Sequence, residues 1–250
     1  MSTTTSDGIR IHYEIEGDGP PLILQHGFSQ SLADWRVAGY VDRLKDHCRV
    51  ILVDARGHGQ SDKPHDRAAY SGERHAADIV AVLDALELPQ ADYWGYSMGG
   101  WIGFALAHHA PQRLRGLVLG GQHAHGRALR VQQPDGRDPE LFFRSFFARI
   151  GLDFDKQPAE IRKGLLASDT QALAAAQQDR PSLEAALPAM TMPSLLYAGT
   201  KDDVFARAEK SAQAMPNCTF IALPGLDHSD AFYKATELVV PKVLSFLRTR

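Results

Sequence analysis

The sequence predicts an α/β fold: a mostly parallel central sheet flanked by helices, with a helical cap inserted before the penultimate strands. Three observations carry that expectation. Apolar runs of strand length alternate with helix-length amphipathic stretches, the pattern of repeated βα units. The alternation lapses from about Gln122 to Met192 and resumes at Ser194. Finally, 250 residues, 44% hydrophobic and 23% charged, suffice to bury one large core without disulfide or metal staples. The expected organisation is a core domain of residues 1–121 and 193–250, interrupted by a cap of residues 122–192.

Each element has its own reason. Ile9, Ile11, Tyr13 and Ile15 alternate with polar residues, the period of a half-exposed strand. Gly17-Asp18-Gly19-Pro20 is a turn, and Leu22-Ile23-Leu24 and Val50-Ile51-Leu52-Val53 read as buried strands. From Glu73 to Leu86, Ala76, Ala77, Val80, Leu83 and Ala85 recur among charges as in an amphipathic helix, and Pro89 ends it. Ala91 to Gly95 is a short strand, Met98 to Ala110 a mostly apolar helix stopped by Pro111, and Leu117-Val118-Leu119 another buried strand. Within the lapse stand an aromatic cluster and an Ala-rich helix near Gln171 to Gln178. Ser194 to Ala198 resumes the pattern as a strand. A helix near Val204 to Ala214, a strand Thr219-Phe220-Ile221 and a closing helix from Ala231 to Leu247 complete it.

Composition removes several function classes. The balance of 27 basic and 30 acidic residues gives a net charge of −3 with mixed signs, so no Lys/Arg stripe suggests a nucleic-acid partner. Cys48 and Cys218 stand far apart and form no CxxC, which argues against a disulfide framework or a redox motif. Met1-Ser2-Thr3-Thr4-Thr5 has no basic and apolar leader, and no apolar run approaches a membrane span. A cytoplasmic enzyme with a small-molecule substrate is the expectation.

The chemistry is concentrated in Gly95-Tyr96-Ser97-Met98-Gly99, a G-x-S-x-G placed after a buried strand and at the start of a helix. In that context the turn forces the serine into a strained conformation, and the glycines remove side chains that would collide. The hydroxyl then sits beside a helix N-terminus, which favours negative charge. A serine needs an adjacent base held in one tautomer, and in such a sheet the expected order is Ser, acid, His. Asp202, after the strand Leu195 to Ala198, is the expected acid, with Asp203 and Asp227 as rivals. His228, after the strand ending at Ile221, is the expected base. An oxyanion needs preorganised donors. The N–H of Met98 is one, and the N–H of Phe28, in His26-Gly27-Phe28-Ser29, the other. Gly27 lets that backbone turn inward, and His26 either acts or braces the loop from behind.

Taken together, His26-Gly27, Asp54-Ala55-Arg56-Gly57-His58-Gly59-Gln60-Ser61, Gly95 to Gly100, Gly199-Thr200-Lys201-Asp202 and His228 resemble the α/β-hydrolase family in its usual order. The likeness covers nearly the whole chain except 122–192, as expected of that family's variable cap. By this resemblance Asp54 to Ser61 is a structural loop near the active-site entrance. Ser97 argues against the dehalogenases and epoxide hydrolases, which carry Asp at that position. The resemblance implies a serine hydrolase cleaving a small carboxylic ester through an acyl-enzyme. A lactonase, C–C bond hydrolase, amidase or perhydrolase using the same triad is the alternative, and a binding protein on the same fold is the non-enzyme alternative.

Three further groups stand near the expected site. His123-Ala124-His125 follows a strand with H-x-H spacing, but no further ligand pattern accompanies it, so no metal is expected. The glycines of Gly95 to Gly100 lack the features of a phosphate or dinucleotide loop, so no nucleotide is implied, and the triad chemistry needs no cofactor. Phe142, Phe143, Phe146 and Phe147 share one face of a helix. They either glue the cap to the core domain or, in part, reach into the cleft above Ser97. Gly27, Trp101 and His123 join them as candidate substrate contacts, with His125 behind them.

Overall fold

The structure, a computed structural model, describes residues 2–126, 128 and 134–249, so Arg127 and residues 129–133 of the expected cap lie outside the described residues. The chain opens with β1 (Ser2–Ser6), β2 (Ile9–Glu16), β3 (Pro21–Gln25), α1 (Ala33–Val37), α2 (Tyr40–Leu44) and β4 (Arg49–Val53). It continues through α3 (Gly72–Ala85), β5 (Ala91–Tyr96), α4 (Met98–His109) and β6 (Leu114–Gly120). The helices α5 (Pro139–Arg149), α6 (Ala159–Leu166) and α7 (Thr170–Ala176) then precede β7 (Ser194–Gly199). Last come α8 (Phe205–Ala214), β8 (Cys218–Leu223), α9 (Asp230–Tyr233) and α10 (Thr236–Arg248).

All eight strands form one sheet in the order β1-β2-β4-β3-β5-β6-β7-β8. β1 pairs antiparallel with β2 and β2 antiparallel with β4, while β3 to β8 are parallel. Central strands are buried on both sides, which is why they read as unbroken apolar runs. Leu22, Leu24, Val50, Leu52, Trp94, Tyr96, Val118, Leu195 and Tyr197 pack on one face with Tyr40, Val41 and Leu44 of α2 and Val239, Val240 and Val243 of α10. Their alternates Ile23, Ile51, Tyr93, Leu117, Leu119 and Leu196 pack on the other with α3 and α4. A separate core of Phe142, Phe143, Phe147, Phe154, Leu173 and Ala174 holds α5 and α7 together. Among the described residues no helix is long and apolar enough to cross a membrane.

The sequence expectation omits the short helices α1, α2 and α6, and two further elements depart from it. β1 has no apolar residue at all: it is an edge strand, held by its ladder with β2, where Thr4 lies opposite Ile11, and suited to extended backbone by its threonines. The single closing helix is instead broken between α9 and α10. The Tyr40 hydroxyl donates to the Phe232 carbonyl at 3.0 Å, and the Thr236 hydroxyl donates to the Ala38 carbonyl at 2.7 Å. Both bonds anchor the break to the α1–α2 region.

The strand order also locates the site. From β3 the chain steps to β4 on one side, then returns past β3 to β5 on the other. The strand order therefore reverses between β3 and β5, and the crevice beyond the carboxyl ends of those two strands is where such sheets bind ligands. The loop starting at His26 leaves β3 there, and Ser97 leaves β5 beside it.

Candidate active site

Ser97 lies between β5 and α4 with φ 52° and ψ −111°, a left-handed conformation that costs a non-glycine residue about 1–3 kcal/mol. The surrounding glycines make the turn possible. A Cβ on Gly95 would lie 2.2 Å from the Gly99 carbonyl oxygen, and one on Gly99 would lie 2.1 Å from the Gln25 carbonyl oxygen. The turn is also pinned by hydrogen bonds, with the Ser97 N–H donating to the Gly120 carbonyl at 2.9 Å. The Ser97 carbonyl accepts from the Gln122 side-chain amide at 3.0 Å.

His228, in the loop after β8, reaches this serine along the carboxyl edge of the sheet. Its Nε2 is 2.9 Å from Ser97 Oγ, and its Nδ1 is 2.6 Å from Asp202 Oδ2. A carboxylate can only accept, so Nδ1 carries the proton and Nε2 presents a lone pair to the hydroxyl. The Asp202 side chain is almost fully buried, and its other oxygen accepts from the Val204 N–H at 3.1 Å. Asp203 is exposed, and among the described residues its side chain makes no such contact; its carbonyl accepts from Arg207. Asp227 instead accepts from the Asp230 N–H at the start of α9. The loops after β7 and β8 are pressed together at Gly199, where a Cβ would lie 2.1 Å from the Leu226 carbonyl oxygen. The Tyr96 hydroxyl fixes the His228 main chain by donating to its carbonyl at 2.6 Å.

The loop after β3 lies beside the serine, with Ser97 Cβ 3.4 Å from the position a Gly27 Cβ would take. His26 is fully buried behind it: Nδ1 donates to the Gly27 carbonyl at 2.7 Å, and Nε2 accepts from the Ala55 N–H at 3.1 Å. With both ring nitrogens committed to backbone, His26 braces the loop. Met98 opens α4, where N–H groups have no intrahelical acceptor, and among the described residues the Phe28 N–H has no partner.

The segment Asp54 to Ser61 supports that loop from below. Asp54 accepts from the Leu32 and Gln60 N–H groups and from His12 at 2.8–2.9 Å. Burial works to raise its carboxyl, but the hydrogen bonds from these donors outweigh burial and hold it below the usual range. Arg56, fully buried, grips Asp78 with two bonds of 2.6 and 2.7 Å. Burial pushes the His58 ring down to about 3, so it packs as a neutral ring against His26 and Phe28.

The remaining candidates separate clearly. Phe142, Phe143 and Phe147 are buried in the core of α5 and α7, whereas Phe146 is half-buried and meets the Phe28 ring at 5.2 Å between centroids. Trp101 packs against His75, with the Arg180 guanidinium 4.4 Å above its ring, as a wedge between α3 and α4. His123 is buried, and burial, then the Arg207 charge, push it down to about 4. His125 pairs with Glu184 at 2.7 Å. Gln30 and Gln122 have no place in the sequence expectation. Each uses a side-chain amide to hold a backbone turn, a role that leaves no motif beyond proximity to Gly27 and to the end of β6.

A family model described as the alpha/beta hydrolase fold matches residues 20–153, more than half of the chain. The non-heme chloroperoxidase of Streptomyces lividans is 30% identical over 281 residues, covering 99% of this chain and 99% of its own. The enol-lactonase from Burkholderia xenovorans LB400 superposes with a TM-score of 0.84 at 25% identity, covering 98% of this chain and 99% of that one. A thermophilic esterase from Thermogutta terrifontis gives 0.82 at 26% identity, covering 99% and 97%.

Proposed function

Because the chain belongs to the α/β-hydrolase fold family and is an enzyme of that family, we propose that it is a serine hydrolase cleaving a small carboxylic ester through an acyl-enzyme. Ser97 Oγ attacks the acyl carbon while His228 Nε2 takes its proton, and Asp202 stabilises the imidazolium that forms. The N–H groups of Phe28 and Met98 hold the negative oxygen of the tetrahedral intermediate. His228 then gives its proton to the departing alkoxide, leaving the acyl group on Ser97. A water molecule repeats the sequence: His228 takes its proton, it attacks the acyl carbon, and Ser97 recovers a proton as the acid leaves. Residues 122–192 act as the cap, with Phe146 against Phe28 offering an apolar wall beside the oxyanion donors.

The observation that carries this reading is the unbroken line of hydrogen bonds from Ser97 through His228 to Asp202, 2.9 and 2.6 Å long, on a strained strand–helix turn. A lactone substrate is the second reading, favoured by the likeness to the enol-lactonase along nearly the whole of both chains. The steps are unchanged there, except that the leaving oxygen stays tethered to the acyl group. The test is turnover of p-nitrophenyl esters of increasing acyl length beside lactones and anilides, by wild type and Ser97→Ala. The proposal expects ester turnover that falls on the order of 10⁴- to 10⁶-fold in the variant. Lactone turnover well above ester turnover selects the second reading, and a variant near wild type removes both.

A further inference from the structure

Two adjacent N–H groups, those of Gly27 and Phe28, lie on the loop that borders Ser97, and a developing oxyanion needs one of them held in place. Their competition is settled by a side chain. Gln30 Oε1 accepts from the Gly27 N–H at 2.7 Å, which removes that donor from the cleft, while the Phe28 N–H has no partner among the described residues. The Gly27 carbonyl is taken as well, by His26 at 2.7 Å and by the Gln30 N–H at 3.4 Å. Between them Ser29 adopts φ 60°, a left-handed conformation that turns the chain back on itself and that a serine holds only when its surroundings impose it.

The Gln30 amide is itself held in one orientation. Its Nε2 donates to the Tyr233 hydroxyl at 2.8 Å, and that hydroxyl spends its only proton on Asp34 Oδ1 at 2.8 Å. Asp34 Oδ2 in turn accepts from the Ser31 N–H at 2.9 Å. A flipped amide would set its oxygen against a hydroxyl with no proton left to give, and its nitrogen against the Gly27 N–H. The relay therefore defines Oε1 as the atom facing Gly27. Tyr233 closes α9, the helix that begins just after His228, so one hydrogen-bonded line ties the loop bordering Ser97 to the segment bearing the proposed base.

We propose that Gln30, held by Tyr233, is a positioning residue that withdraws the Gly27 N–H and thereby fixes the Phe28 N–H as the oxyanion donor opposite Met98. This inference rests on the serine-hydrolase reading above and adds to it the residue that sets the geometry of the hole. A donor of this kind is useful only within hydrogen-bond reach of the oxygen in the transition state, and losing one costs on the order of 10²- to 10³-fold in kcat. Loosening rather than deleting it should cost less.

The experiment compares Gln30→Leu, Tyr233→Phe and Ser97→Ala in the full chain, with folding followed by thermal melting. It measures kcat and KM for p-nitrophenyl acetate, the pH–rate profile, and inhibition by a boronic acid that forms a tetrahedral adduct with the serine. Gln30→Leu is expected to lose about 10- to 100-fold in kcat with KM nearly constant. Its boronate affinity should weaken in proportion to kcat/KM, with unmoved pH midpoints because the Ser97–His228–Asp202 line is untouched. Tyr233→Phe is expected to show the same signature at smaller amplitude, and it carries the test alone if Gln30→Leu does not fold. Wild-type kcat and boronate affinity in the folded variants, with Ser97→Ala inactive, would overturn this inference and leave the serine reading standing. A loss of kcat with unchanged boronate affinity would overturn it equally. An active Ser97→Ala would instead remove the reading on which it rests.

Discussion

Replacing Gly99 by alanine tests how tightly the fold holds the site. A Cβ on Gly99 would stand 2.1 Å from the Gln25 carbonyl oxygen, 2.7 Å from its carbonyl carbon and 2.9 Å from the His26 carbonyl oxygen. All three are backbone atoms of a central strand and its outgoing loop, so no side chain can swing aside. Relaxing the overlap to ordinary contact requires the first turn of α4 to withdraw from β3 by roughly 1 Å. Ser97 and Met98 ride on that turn, whereas Phe28 stays with β3, so the shift opens the gap between the two proposed oxyanion donors. A displacement of about 1 Å at reacting groups costs on the order of 10²-fold in rate. The overpacking itself costs about 1–3 kcal/mol, which for a chain of this size lowers Tm by roughly 2–12 °C. Gly164→Ala is the control: its Cβ meets nothing within 4 Å among the described residues, its φ is ordinary, and it lies inside α6, so stability should hold or rise by up to about 1 kcal/mol with activity unchanged. The assay is kcat for p-nitrophenyl acetate together with thermal melting of the two variants and wild type. A Gly99→Ala enzyme with kcat within about threefold of wild type and an unaltered Tm would refute the argument.

Three further outcomes are expected. Asp202→Asn should lose about 10³- to 10⁴-fold in kcat, while Asp203→Asn, with no contact to His228, should stay near wild type; the reverse result would move the acid by one residue. Phe143→Ala should cost about 3–5 kcal/mol of stability without changing the preference among esters, whereas Phe146→Ala should cost little stability and shift that preference, and identical behaviour of the two would contradict the packing described. His58 and His123 are held at about 3 and about 4 by burial, below the ordinary value of about 6.5, so the unfolded chain binds more protons as the pH falls below that value. Stability should therefore be full above about pH 6.5 and fall progressively toward pH 3–4; the urea midpoint should drop between pH 7 and pH 5, less steeply in His58→Phe, and a slope unaffected by that change would rule His58 out as a contributor.

Much of this was legible because the chemistry imposes local residue patterns. Buried parallel strands must be apolar on both faces, so β3 to β7 announce themselves as short apolar runs. The turn at Ser97 needs glycine at 95 and 99 because backbone passes within 2.2 Å of where their side chains would be, and that necessity is what the motif records. Asp202 and His228 were reachable from their places after β7 and β8. Other features left no such trace. β1 owes its existence to a neighbour across the sheet, not to any apolar period of its own. The break between α9 and α10 is set by hydroxyls of Tyr40 and Thr236 whose partners lie 192 and 198 residues away. The four phenylalanines share a helix face in the sequence, but which of them faces α7 and which faces Phe28 depends on how α5 is rotated against its neighbours. Gln30 and Tyr233 are 203 residues apart, and nothing in either local sequence marks the bond between them.

The central claim, that Ser97 is the nucleophile activated by His228, is tested most directly by reaction with a fluorophosphonate followed by peptide mapping. The adduct does not turn over, so it records which atom attacks. The expected result is a single adduct on the peptide containing Ser97, no adduct in Ser97→Ala, and labelling slowed by orders of magnitude in His228→Ala, which removes the proposed base 2.9 Å from the hydroxyl. Labelling of a different residue, or labelling of Ser97→Ala at the wild-type rate, would contradict it.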